Sequence, residues 1–290
     1  MDSRRARAAL AAAAVIWGTL GLLVRHIPLP SSLIALVRGV LGAAFLLLLA
    51  RLSGRHLTLP GNRKARGLLV LSGALIGVNW ILLFEAYRYT TVASATLCYY
   101  MAPVMLILAS SLLFRERLTL LRGLCVLGAV LGVLLISGVL SGGAVGLRGV
   151  LLGLGAAALY CSVILLNRLP GAEDRYSATV VQLSAAALVL APYILLTEDL
   201  SALRPTGLSL LLLAVLGLVH TGLAYGLYFA AVPKLSGASI ALLSYLDPLT
   251  AILLSALFLG EPLGWTGIAG TVLILGAAVA SETAGARQHP

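Results

Sequence analysis

Hydrophobic and polar positions follow one another along this chain in long blocks. Apolar runs cover residues 8–24, 32–50, 67–87, 92–114, 119–139, 147–166, 177–197, 207–230, 236–259 and 264–281, parted by short polar breaks. A hydrocarbon core about 30 Å thick needs about 20 apolar residues per helix. The blocks therefore predict ten membrane-spanning helices. The thinnest division lies between the third and fourth, where only Arg88, Tyr89, Thr90 and Thr91 interrupt. Without that break the run would be far too long for one span.

One stretch occurs twice. Residues 84–118 read FEAYRYTTVASATLCYYMAPVMLILASSLLFRERL, and residues 229–263 read FAAVPKLSGASIALLSYLDPLTAILLSALFLGEPL. Laid over each other at a shift of 145, Phe84 meets Phe229, Tyr100 meets Tyr245 and Pro103 meets Pro248. Ser110 likewise meets Ser255, and Glu116 meets Glu261. The shift is half the 290-residue chain, so two repeats are expected, 1–145 and 146–290. Five spans per repeat is an odd number, so the second repeat must enter the membrane inverted. The fold class expected is an all-α integral membrane protein, with ten transmembrane helices as two inverted five-helix repeats. Such doubled bundles place a solute site between the halves near the bilayer midplane.

The doubled ten-span pattern has a proline inside the fourth and ninth spans and an E-x-L-type ending after each. With the phrase NWILLFEAYRYTTVASATLCYYMAP at 79–103, it resembles the drug/metabolite transporter superfamily, in its ten-helix EamA-type branch. The resemblance covers nearly the whole chain. It implies a bacterial inner-membrane carrier or exporter of small metabolites, and leaves the solute open.

Composition agrees with a lipid solvent. The chain is 60% hydrophobic and 10% charged, with mean hydropathy +1.05. A soluble domain could not cover that much apolar surface with so few charges. The formal net charge of +10 would suit nucleic acid, but its distribution argues otherwise. With the N-terminus inside, inner loops and tails hold 15 of the 20 Lys and Arg residues, including Arg51, Arg55, Arg63, Lys64, Arg66, Arg115, Arg117, Arg175 and Lys234. Outer loops hold 4, namely Arg25, Arg88, Arg148 and Arg204, and Arg38 lies inside a span. Cytoplasmic loops carry such an excess, so both termini are expected in the cytoplasm and no nucleic-acid partner is expected. Membrane lipid is the expected neighbour. The start RRARAALAAAAVIWG could pass for a signal peptide. Its removal would leave an odd span count. Cys98, Cys125 and Cys161 fall in apolar runs without metal-ligand spacing and read as packing residues. No cofactor or metal site is expected.

Candidate chemistry lies in polar groups at depth. At about 1.5 Å per residue, Trp17, Asn79, Tyr100, His220, Tyr245 and Asp247 lie roughly 12–20 Å into their spans. Asp247 is the sharpest candidate. A carboxylate near the bilayer centre costs at least about 2.5–3.5 kcal/mol, so it needs a partner, water or a proton. It could load and release a proton, or meet a cationic group on a solute, or simply bond to its own broken helix. Pro248 removes a backbone donor and frees the carbonyl of Ser244. The Asp247 equivalent in the first repeat is Ala102, so the site would be asymmetric. His220 could relay protons, since imidazole titrates near neutrality, or be a satisfied core residue.

Arg38 lies about 9 Å from the outer side, where it could clamp an anion, gate, or pair with Glu85. Glu85 could instead reach Arg88 one turn on. Trp17, Trp80, Tyr99, Tyr100 and Tyr245 lie away from the helix ends that interfacial aromatics favour. They would serve as a pocket wall or as bundle core. Pro103 and Pro248 are expected kinks, and Glu116 and Glu261 are expected structural groups at helix ends. Gly128-x-x-x-Gly132 and Gly149-x-x-x-Gly153 permit close helix contact, within one chain or in a homodimer, so a monomer or homodimer is expected.

Enzyme motifs are missing, with no HExxH, GxSxG or Walker A sequence. The expected function is secondary transport of a small-molecule solute, with Asp247 and His220 as coupling candidates and Arg38 and Glu85 as gating candidates. A passive facilitator, a lipid-modifying enzyme and a sensor or scaffold subunit are the alternatives.

Overall fold

The apolar blocks form helices in the computed structural model, which describes residues 3–114, 119–137, 146–167, 174–261 and 263–286. Among the described residues there is no strand. In chain order the helices are α1 (Ser3–Gly18), α2 (Leu20–Arg25), α3 (Ser31–Leu52), α4 (Arg63–Tyr89), α5 (Val92–Tyr99), α6 (Ala102–Phe114) and α7 (Leu120–Ile136). There follow α8 (Leu147–Leu166), α9 (Arg175–Thr197), α10 (Gly207–Val215), α11 (Ala224–Ala231), α12 (Gly237–Ser244), α13 (Leu246–Phe258) and α14 (Trp265–Ala286). A π-helical segment, Leu216–Leu223, joins α10 to α11. Among the described residues, seven helical stretches are long and apolar enough to cross a membrane, and three shorter apolar helices accompany them. The chain is an all-helical, multi-pass membrane protein. Large apolar side chains such as Leu112, Leu196, Leu257 and Trp265 face outwards, as lipid contact requires.

The polar breaks carry the helix starts. Side-chain oxygens of Asn62, Thr91, Thr119, Asp174, Thr206 and Ser236 each accept from an amide two or three residues on, so first-turn donors are satisfied. The division at Arg88–Thr91 is real: α4 stops at Tyr89 and Thr91 caps α5.

Within the bundle, α4 packs on α8 and α9, and α3 on α9 and the π segment. α1 packs on α11 and α13, α8 on α5 and α6, and α7 on α14. Small residues allow the closest of these approaches. A Cβ on Gly132 would lie 2.8 Å from the Gly270 carbonyl, and one on Gly270 would lie 2.7 Å from the Gly132 carbonyl. Gly149 and Gly153 bring α8 against Thr90 and Cys98, whereas Gly128 meets nothing. Three of the four glycines in the two GxxxG motifs thus serve contacts inside one chain.

Side chains tie the helix ends. At one end Arg25 donates to the Tyr87 carbonyl and Arg88 to the Leu29 carbonyl. Ser31 donates to Glu85 at 2.6 Å and Ser32 to Glu198 at 2.6 Å. At the other end Arg55 pairs with Asp174 at 2.6 Å, and its guanidinium lies 4.5 Å from the Tyr176 ring centroid. Burial pushes the Asp174 carboxyl up, but the Ser177 hydroxyl and the Arg55 guanidinium outweigh it and hold it below its ordinary value. This contact's stabilisation is present above the ordinary carboxylate range and is lost as pH falls through the lowered value. Arg115, Glu116 and Arg117, with Arg168 and Arg287, lie outside the described residues.

Candidate functional site

Four helical stretches are interrupted, and the interruptions come together. α1 gives way to α2 at Thr19, α5 to α6 at Tyr100 and Met101, and α12 to α13 at Tyr245, while the π segment interrupts the fourth. Two breaks have a covalent cause, because Pro103 and Pro248 deprive the Tyr99 and Ser244 carbonyls of their donors. In the π segment, Gly217 and Gly222 make room for Leu41 and Phe45 of α3, each 2.4 Å from where a Cβ would sit. Irregular backbone inside a membrane is tolerated where protein or water satisfies it.

The freed Ser244 carbonyl finds a partner. The Tyr100 hydroxyl contacts Asp247 Oδ2 at 2.9 Å and the Ser244 carbonyl at 3.3 Å. Trp17 Nε1 donates to the His220 carbonyl at 2.9 Å. These bonds make two neighbouring groups. The first joins Tyr99, Tyr100, Tyr245 and Asp247, with Tyr100 and Tyr245 ring centroids 6.1 Å apart. The second joins Trp17, Thr19, Arg38, Trp80, His220, Thr221 and Tyr225. There His220 Nε2 lies 2.7 Å from Thr19 Oγ1, and Arg38 Nε donates to Thr221 Oγ1 at 2.9 Å. The Arg38 guanidinium lies 4.1 Å from the Trp80 ring centroid, a cation–π contact. Gly18 holds the two groups side by side, for a Cβ there would lie 2.5 Å from the Asp247 carbonyl oxygen.

A cavity of about 460 Å³ opens beside the first group, lined by Tyr100, Pro103, Arg175, Tyr228, Val232, Gly237, Ile240, Ser244 and Tyr245. Its size and its mixture of aromatic walls with few polar groups suit a small organic molecule. Tyr228 connects it to the second group through Trp17, with centroids 5.7 Å apart.

Several expectations meet a different geometry. The structure does not pair Arg38 with Glu85. Arg38 is 5% exposed and turns inwards to Thr221, while Glu85 takes Ser31 and Arg88. Glu85 therefore stands with the end contacts, apart from the cavity. Asn79 also stands apart, 1% exposed, where its side-chain nitrogen donates to the Ala156 carbonyl at 2.5 Å and ties α4 to α8. His220, 2% exposed, is not on the cavity wall, and neither are Trp17, Tyr99 and Asp247, which adjoin the lining residues Tyr228 and Tyr100. Glu261 lies at the opposite end from the cavity mouth residue Arg175, and Glu116 lies outside the described residues. Contributors not foreseen include Thr19, Arg175, Thr221, Tyr225 and Tyr228. The spacing of Tyr225, Tyr228 and Phe229 after His220 puts aromatic side chains on one helix face, and that signal was available.

The sequence profile of the EamA-like transporter family matches this chain twice, over residues 6–138 and 147–281. The uncharacterized transporter YxxF of Bacillus subtilis (strain 168) is 29% identical over 253 residues, spanning 85% of this chain and 79% of that protein. Protein PecM of Dickeya dadantii (strain 3937) is 27% identical over 270 residues, spanning 91% and 88%. The chloramphenicol-sensitive protein RarD of Pseudomonas aeruginosa is 28% identical over 194 residues, spanning 66% and 62%. One solved crystal structure of a protein superposes with a TM-score of 0.64 at 22% identity, over 97% of this chain and 98% of that one, a likeness of fold.

Proposed function

Because this chain belongs to the EamA-like transporter family, we propose that it exports a small organic solute across a bacterial inner membrane by alternating access. Family membership makes it a membrane transporter of small solutes. The mechanism is secondary transport by two inverted five-helix repeats, 1–145 and 146–290, with ten spans and both termini in the cytoplasm. Two matches to one profile support the repeats. So does the mirrored packing: α4 on α8 has its counterpart in α11 on α1, and α4 on α9 in the π segment on α3. The observation that carries the mechanism is the hydrogen bond from Tyr100 in the first repeat to Asp247 in the second, beside a cavity and a broken helix. Alternation must rearrange that bond, and a proton on Asp247 is a suitable trigger. Tyr100, Tyr228 and Tyr245 contact the solute on the cavity wall, Trp17 and Tyr99 join them as the bundle rearranges, and Asp247 with His220 couples it to protons.

The alternative is a passive facilitator, favoured by the same bond if Tyr100 holds Asp247 as a fixed polar contact. Purified protein in liposomes tests the proposal, screened against amino acids, amines and dyes with and without a pH gradient. Solute movement that depends on the protein is expected, and no movement of any tested class would count against transport of those solutes. For topology, cysteine labelling is expected to place residues 52–66 and the C-terminus in the cytoplasm and 198–206 outside. Labelling of a cysteine at residue 290 only from outside would contradict the inverted arrangement.

A further inference from the structure

We propose that Glu261 is the latch that keeps the end of the bundle remote from the cavity shut. The proposal rests on alternating access, and it adds the device that holds one of the two states. Glu261 follows α13, at the end of the second repeat's doubled segment. Its Oε2 accepts from the Val92 amide at 2.9 Å, and its Oε1 accepts from Arg25 at 3.1 Å. Val92 opens α5 and Arg25 closes α2, so both partners belong to the first repeat. Arg25 in turn donates to the Tyr87 and Thr90 carbonyls, which binds the end of α4 into the same knot. Within its own repeat Glu261 takes the Ser255 hydroxyl at 2.5 Å and returns its amide to the Ser255 carbonyl at 3.2 Å. Gly260 makes that return possible with φ +63°, a left-handed conformation that costs glycine little. One carboxylate thus joins three helices from two repeats directly, and α4 through Arg25.

The opposite end supplies the contrast. At the shift of 145, Thr91 and Val92 correspond to Ser236 and Gly237. The two helix starts are capped alike, Thr91 by its bond from the Ser94 amide at 3.0 Å and Ser236 by its bond from the Ser239 amide at 3.3 Å. The first helix start is held by a carboxylate from the other repeat. The second lines the open cavity, and a Cβ on Gly237 would meet nothing within 4 Å. Among the described residues one end is clasped by a carboxylate while the equivalent helix start borders a cavity, as in a two-state carrier held in one state; Glu116, the counterpart of Glu261, lies outside the described residues.

The Val92 bond carries most of the hold between the repeats, because a hydrogen bond to a charged group is stronger than a neutral one, and the Ser255 bond fixes the carboxylate within its own repeat. The Arg25 pair is half-exposed and carries less. The test uses the full chain in vesicles with Cys98, Cys125 and Cys161 replaced by alanine. One reporter cysteine replaces Ala251, which is buried in α13 one turn before Ser255 and on the same face. Another replaces Gly237 at the cavity. A membrane-impermeant maleimide is applied from either side. Glu261→Ala is expected to raise labelling at 251 about tenfold or more, the order expected from losing charge-assisted bonds. It is expected to lower labelling at 237 as the population moves to the other state.

Glu261→Ala also loses a contact within its own repeat, so a second variant leaves the carboxylate untouched. Val92→Pro removes the donated amide, at a first-turn position that tolerates proline after the extended Thr91, and also exchanges the buried Val92 side chain, a change that Val92→Ala controls for. It should open residue 251 in the same way, whereas Val92→Ala keeps the amide and should stay closed. Unchanged labelling at 251 in both Glu261→Ala and Val92→Pro overturns the latch. A rise at 251 without any fall at 237 keeps the latch and overturns the alternating-access mechanism beneath it.

Discussion

Replacing Asp247 by asparagine is expected to abolish solute accumulation driven by a pH gradient while leaving exchange at equal pH in place. The amide keeps the shape of the carboxylate, and its oxygen can still accept from Tyr100, which now bonds Asp247 at 2.9 Å. What it loses is a site for a proton. A carrier that must load and release a proton in each cycle would then lose its driving force, so gradient-driven uptake should fall by at least about tenfold. Exchange needs only the solute to reorient the bundle, and its rate should change little. If Asp247 were instead a fixed charge that binds a cationic solute, both modes would weaken together through lost affinity. The measurement is a pair of liposome assays on the parent and the variant. Full gradient-driven accumulation by the variant would eliminate Asp247 as the coupling group and direct attention to His220, whose imidazole bonds Thr19.

Gly18→Val is expected to disable both transport modes. Gly18 lies where α1 crosses α13, and an added Cβ would fall 2.5 Å from the Asp247 carbonyl oxygen and 2.5 Å from Thr250 Cβ. A backbone oxygen cannot swing aside as a flexible side chain can. The two helices must separate, at a cost of about 1–3 kcal/mol for overpacking and with loss of the aligned pair of polar groups. Transport should fall by about an order of magnitude or more in either assay, and thermal unfolding in detergent should begin earlier. Gly67→Ala is the control, because a Cβ there meets nothing within 4 Å. Wild-type exchange by Gly18→Val would show that the crossing is looser than its geometry.

Much of this arrangement was legible in the amino-acid pattern, and the reasons are local. Long apolar blocks become helices because lipid leaves the backbone no other partner. Pro248 announced both the break before α13 and an unpaired Ser244 carbonyl. The structure fills that carbonyl with the Tyr100 hydroxyl, whose identity no local rule could supply. The partners of Arg38 and Glu85 were illegible for a similar reason. Both lie towards the same side on neighbouring spans, so charge alone joins them. Helix rotation instead turns Arg38 to Thr221 and Trp80, and leaves Glu85 with Ser31 at the start of α3. Asn79 shows the same limit. Depth suggested a solute contact, yet its side chain ties α4 to a carbonyl on α8. Spacing tells how deep a residue lies and says little about which neighbour it faces.

The seam between α7 and α14 has a consequence for how the protein is made. Gly132 and Gly270 back onto each other there, although they are 138 positions apart in the sequence. A ribosome adding about 5–20 residues per second would emit the second glycine on the order of ten seconds after the first. Throughout that delay α7 waits in the membrane with its flattened face uncovered, and the insertion machinery or a lipid must occupy it. A nascent chain ending at residue 258 should therefore persist as a protease-sensitive species that cross-links through α7 to its chaperones. Supplying residues 259–290 as a separate polypeptide should restore protection. Equal resistance of the short chain without that supplement would show that α7 has no need of its last neighbour.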